Sequence, residues 1–184
     1  MNEPWYRRFF SRPPDTNLKT TRARADEGDA DAQFLVGLRC CAVEGEGQDF
    51  VQAAQWYHKA AEQNHPVAQF NLGVMFARGQ GVLQDDATAV MWTLRAANAG
   101  DAGAQHSLGT RCHRASINNS LPTEATESRI EAYKWFHLAA EQGYLNSATS
   151  QERVTPHMTR DDVTEANQRI ARFVAAPSTS SASG

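Results

Sequence analysis

One short phrase returns three times at a fixed interval, and this repetition limits what the chain can fold into more than any single residue does. Ala32-Gln33-Phe34 recurs as Ala68-Gln69-Phe70 and as Ala104-Gln105-His106. Gly37, Gly73 and Gly109 follow 36 residues apart (73 − 37 = 109 − 73). Trp56 and Trp92 keep that interval, whereas Trp135 comes 43 residues after Trp92, so the third unit carries a seven-residue insertion. A period of this length marks a solenoid, in which each unit contacts its neighbours and none buries its apolar face alone.

Each unit reads as two helices. In the second, helix A opens at His65 with Pro66 in its first turn, where a missing N–H costs nothing. Ala68, Leu72 and Phe76 then fall at i, i+4, i+8 on one face. Gly79-Gln80-Gly81 breaks the helix. Asp85 is the expected N-cap of helix B, with Asp49 and Ser128 in the equivalent role. Gly28, Asn64, Gly100 and Gly143 close the B helices, all residue types that tolerate a positive φ. The ladder Trp56, Trp92, Trp135, beside Ala60, Ala96, Ala139 and Ala61, Ala97, Ala140, joins the units. Each buried indole removes about 150–250 Å² from water. That is worth roughly 4–6 kcal/mol as an upper bound.

These residues carry a resemblance. The run Ala68-Gln69-Phe70-Asn71-Leu72-Gly73-Val74-Met75-Phe76, with Gly79-Gln80-Gly81-Val82, Asp85, Ala89, Trp92 and Ala96-Ala97, resembles the Sel-one-like repeat family, relatives of the tetratricopeptide repeat. Copy one matches through Gly37, Gly45, Asp49, Ala53 and Trp56 to Gln63, and copy three through Ala132 to Gly143. Val43 replaces a turn glycine in copy one, and copy three loses both, its turn becoming Ala115 to Pro122. The resemblance implies an all-α fold, a right-handed α-α superhelix of three helix-turn-helix repeats with capped ends. The expected organisation is a flexible arm over 1–17, a capping half-repeat helix over 18–28, and repeats at 29–64, 65–100 and 101–143. Capping helices follow over 144–176, beginning their last helix at Thr159, and a disordered serine-rich tail covers 177–184.

Composition narrows function mainly by exclusion. The net charge is −3, with a +4 balance over residues 1–24 and −7 over the rest, so nothing demands nucleic acid. No apolar run approaches the roughly 20 residues of a membrane helix. Three cysteines without regular spacing argue against a disulfide framework and for a reducing, cytoplasmic compartment. Motifs for metalloproteases, nucleophile elbows, thiol redox pairs and phosphate loops are absent, and no cofactor or metal is expected. Cys40 and Cys112 take the repeat position of Phe76 and are read as core residues, reduced and slow to react.

Binding is the better candidate. On helix A the positions opposite the core face are Asp31, Leu35, Leu38 and Ala42; then Val67, Asn71, Val74 and Arg78; then Gly103, Ser107, Thr110 and Arg114. This face runs from apolar to basic and fits a protein or peptide with an apolar anchor followed by acidic residues. The insertion, Ile117 to Thr126, is expected to be a loop and is a second candidate. The arm Trp5-Tyr6-Arg7-Arg8-Phe9-Phe10 is a third. The resemblance implies a bacterial, monomeric, non-enzymatic interaction adaptor; a peptidoglycan-related or other cell-envelope hydrolytic role is the alternative.

Overall fold

The computed structural model describes residues 18–42, 49–144 and 146–176, and everything described is helical or connecting, with no strand. In order these are α1 (Leu18–Asp26), α2 (Ala30–Ala42), α3 (Phe50–Glu62), α4 (Pro66–Arg78), α5 (Asp86–Asn98), α6 (Ala102–Asn118), α7 (Pro122–Glu141), α8 (Ser147–Val154), a 3₁₀ turn (Thr155–His157) and α9 (Arg160–Ala175). Two compact units divide within α5, one reaching Trp92 and the other starting at Thr93. The arm, the tail, and Val43 and Gly45 of the first turn lie outside the described residues.

In the first unit α1, α2, α3 and α4 pack in succession. Phe34, Ala53, Tyr57, Ala60, Ala68, Leu72, Met75 and Trp92 form its main core. Trp56 lies in a smaller cluster with Ala25, Ala32 and Val36. Its face is sandwiched by cations, Arg22 Cζ at 4.7 Å and Lys59 Nζ at 4.1 Å from the ring centre. The turn before α5 requires glycine at Gly81: φ is +71°, and a Cβ there would sit 2.1 Å from the Phe50 carbonyl oxygen.

In the second unit α6 packs on α7, and α7 on both α8 and α9. Trp135 is buried and meets Phe173 of α9 edge-on at 5.6 Å. Charge also holds α9. Arg169 reaches Glu127 with both terminal nitrogens, Glu131 at 3.0 Å and Glu165 at 2.8 Å, and Lys134 supports Glu131 at 2.7 Å. Thr159 and Asp162 close a reciprocal capping box on the first turn of α9.

The insertion is not a loop. α6 has 17 residues and α7 has 20, against 13 each in α4 and α5, while the connection shrinks from 79–85 to 119–121. Four residues added to α6, seven added to α7 and four removed from the connection leave the seven inserted residues (4 + 7 − 4 = 7). α6 continues through Ala115–Asn118, and Pro122 opens the added residues of α7 at a first position where its missing N–H costs nothing. Ser128 therefore lies inside α7 and caps nothing; Leu121 holds the cap position without a side-chain bond. Asp49 and Asp85 do cap α3 and α5, through Gln52 at 2.8 Å and Ala87 at 2.9 Å.

Two of the three repeat glycines make room for the aromatic one place beyond a tryptophan. A Cβ on Gly37 would stand 2.8 Å from Tyr57, and one on Gly109 would stand 2.6 Å from Phe136, each a buried ring. In an unencumbered helix Gly→Ala gains about 1 kcal/mol. Here overpacking reverses the sign, so Gly109→Ala is expected to destabilise by about 1–3 kcal/mol. Adding Phe136→Leu should recover part of that loss, measured by urea unfolding. A stabilising Gly109→Ala would show that the close approach does not constrain the fold.

Candidate functional site

The predicted face of the A helices is only partly available. In the first unit Asp31 and Arg78 are exposed, and Leu35, Val67 and Val74 are half-buried. Leu38 and Asn71 are buried, at 8% and 1% exposure, so they cannot meet a partner. Simple periodicity failed at Leu38 because α2 packs on both α1 and α3, which widens its buried arc, and at Asn71 because its side chain turns toward Tyr57 of α3. Asn71 instead lies against the Tyr57 hydroxyl, itself beside the Cys41 thiol, and burial pushes the phenol well above its ordinary value. In the second unit Ser107, Thr110 and Arg114 are exposed, and Gly103 is buried. Neither Arg78 nor Arg114 makes an ion pair among the described residues.

Asp31 is tied to an unusual helix cap. Asp29 and Asp101 accept the Ala32 and Ala104 N–H groups at 2.9 and 2.7 Å, but the equivalent residue of α4 is His65. Its Nδ1 accepts from the Ala68 N–H at 3.1 Å. That assignment places the proton on Nε2, which faces Asp31 Oδ1 at 3.3 Å. The ring stacks on Phe34 with centres 4.8 Å apart.

Two surfaces escaped the sequence reading. A groove of about 420 Å³ in the first unit has an apolar floor of Val51, Ala54, Leu72, Phe76 and Val82, with His58 and Lys59 at its edge. In the second unit Val154 and Met158 share a core cluster with Cys112, bringing α8 and its 3₁₀ turn against the C-terminal half of α6. Neither is visible in one repeat, because each is made from residues of successive helices.

The cysteines are all free thiols, but their ranking differs from expectation. Cys41 is the buried one, at 1% exposure, and burial pushes its thiol up to about 11. Cys40 and Cys112 are half-buried, because the Phe76 position they occupy lies at the core margin; Phe76 is itself only partly buried. Burial raises both thiols as well. His106 and Ser147 form a pair with nucleophile–base spacing, Nδ1 to Oγ at 2.8 Å. Ser147 is 0% exposed, however, so no substrate reaches its hydroxyl; the pair ties α6 to α8. Among the described residues no group of three or more His, Cys, Asp or Glu side chains gathers to hold a metal, and no helix is long and apolar enough to cross a membrane.

A helical array with this spacing, cap set and tryptophan ladder matches one family. The model of the Sel1 repeat matches residues 30–65, 66–101 and 102–144, and the chain belongs to that family, whose members typically serve as scaffolds for protein–protein interaction. Among solved structures, a protective antigen of uropathogenic Escherichia coli strains displaying an SLR fold is 32% identical with a TM-score of 0.66, over 84% of this chain and 34% of that one. The present chain thus spans about a third of the antigen's length. A Sel1 repeat protein from Oxalobacter formigenes is 33% identical with a TM-score of 0.61, over 74% of this chain and 97% of that one. The chain matches none of the curated proteins.

Two expectations follow. Burial holds the His65 pKa below its ordinary 6.5, against the opposing pull of Asp31. The folded state therefore favours neutral imidazole, and the stability this supplies is complete above pH 6.5 and lost as pH falls below it. His65→Asn keeps a cap without a titrating group and should flatten that acid-side fall in melting temperature. An unaltered slope would separate the cap from the pH response. Near neutral pH, iodoacetamide should label Cys40 and Cys112 before Cys41, read by peptide mass spectrometry, and a fast Cys41 would contradict its burial.

Proposed function

We propose that this chain is a non-catalytic interaction adaptor whose A-helix faces receive a protein segment with an apolar anchor followed by carboxylates. The observation that carries this reading is the pair Arg78 and Arg114, at equivalent repeat positions, both exposed and without an ion pair among the described residues. A guanidinium left open to solvent is a ready fork for a carboxylate. In the first unit Leu35, Val67 and Val74 offer half-buried apolar contacts beside Arg78, and Asp31 adds a negative flank. In the second, Ser107 and Thr110 offer hydroxyl groups beside Arg114. The Sel1 repeats support the adaptor role, and relatives in Escherichia coli and Oxalobacter support a bacterial setting. The unspaced, free cysteines support a reducing compartment such as the cytoplasm.

The double reversal Arg78→Glu with Arg114→Glu tests the proposal. Binding should weaken by about 2–5 kcal/mol where the carboxylate pairs are desolvated. Stability should stay within about 0.5 kcal/mol, as at other exposed sites. Quantitative affinity capture from a bacterial lysate, wild type against the reversal, reads the first, and thermal unfolding the second. Recovery of the same partners in equal amounts from both proteins would remove these faces from consideration.

A further inference from the structure

The second unit gathers further basic side chains near Arg114. Cys112 of α6 packs in one cluster with Val154 and Met158, so His113 is drawn toward the end of α8, where Arg153 and His157 flank those two core residues. Arg114 follows His113 on the exposed side of α6, and Ile117, one turn on, is 69% exposed. Among the described residues none of His113, Arg114, Arg153 and His157 makes an ion pair. His113 Nδ1 is buried without a hydrogen-bond partner there. Arg153 and His157 both disfavour protonation of His113, after the larger effect of its burial. An anion placed among them would offset that effect, whereas the rest of the described surface pairs many of its charges, as Arg169 does with three glutamates.

We infer that His113, Arg114, Arg153 and His157, with Ile117 beside them, form a docking surface for an acidic peptide segment that carries a large apolar side chain. This rests on the adaptor reading and names the chemistry of its partner at the Arg114 end of the second unit's predicted face, where residues of α8 outside that face join it. Charge complementarity selects the occupant: the guanidiniums of Arg114 and Arg153, with His113 and His157 as further polar partners, call for carboxylates, and an exposed isoleucine calls for an apolar contact rather than a highly solvated polyanion. Nucleic acid fits less well, since the body of the chain beyond residue 24 carries a balance of −7.

The probe is a fluorescein-labelled peptide with an Ile-Leu anchor followed by a run of Glu and Asp, compared with the same peptide carrying Gln and Asn. Fluorescence anisotropy on the full chain should show the acidic form binding at least about tenfold more tightly at low salt, the preference falling as salt rises. Arg153→Glu with His157→Glu should abolish that preference without changing the melting temperature, while Arg39→Glu on α2 leaves it intact. Equal binding of the two peptides, or an unchanged preference in the double variant, would overturn the inference. So would a single-stranded oligonucleotide that displaces the peptide at lower concentration than unlabelled peptide does. Because Arg114 belongs to both surfaces, Arg78→Glu alone separates the two readings: unchanged partner capture there counts against the A-helix faces and not against this surface.

Discussion

Each A helix is fastened to the B helix before it by one buried glutamine. Gln33, Gln69 and Gln105 donate to the carbonyls of Ala25, Ala61 and Ala97 at 3.2, 3.1 and 3.1 Å. All three carbonyls end a B helix, and each also receives the N–H of the turn residue Gly28, Asn64 or Gly100. Both lone pairs of an otherwise orphaned oxygen are thus used inside the protein. Because hydrogen bonds are directional where apolar contact is not, the amide sets the rotation and depth at which the next helix starts. In copies one and three the glutamine oxygen is held in turn, by Gln63 at 2.8 Å and Gln142 at 2.9 Å. Copy two has Ala99 at that place, and the Gln69 oxygen is left without a partner among the described residues.

With the start of each helix fixed, the rest of the packing is a set of matched pairs. Alanines of 0–1% exposure, such as Ala53, Ala60 and Ala68, let backbones come close, and the helical glycines make room for a ring on the facing helix. The indoles then fill what remains, their outer faces covered by Arg22 and Lys59 at Trp56 and by Lys134 at Trp135. The charged heads themselves lie over the rings, attracted by the negative face of each π-system. The lengthened α6 and α7 keep the same pairing, since Gly109 still meets Phe136 despite the longer separation in sequence.

Period, caps and tryptophans made the fold legible, because all three are properties of local sequence that recur. Thr159 caps its helix where its residue type says it should, and Gly81 sits at a turn that admits nothing else. Legibility failed where the answer depended on helices distant in sequence. Nothing near Asn71 announces that it faces Tyr57, and nothing near Ile117 shows that an insertion will be absorbed into two helices rather than looped out. The candidate faces suffered in the same way: a wheel drawn for one helix separates inside from outside only when one side is packed. The cationic residues of α6 and α8 are 39 to 44 positions apart in sequence (153 − 114 = 39, 157 − 113 = 44), and only their packing makes them one surface.

The manner in which α9 is held has a bearing on assembly. A stack of like units ends in a face built to accept another like unit, and an uncovered face of that kind invites chains to join end to end. Here Trp135 is met by Phe173, while the grip around it is electrostatic, one guanidinium shared among glutamates of two helices. Behind that grip α9 turns Asn167, Gln168 and Arg172 outward. The outer side of α9 therefore presents amides and charge, with the exposed Val174 among them, where the helix crossings inside the repeats are lined by buried alanines.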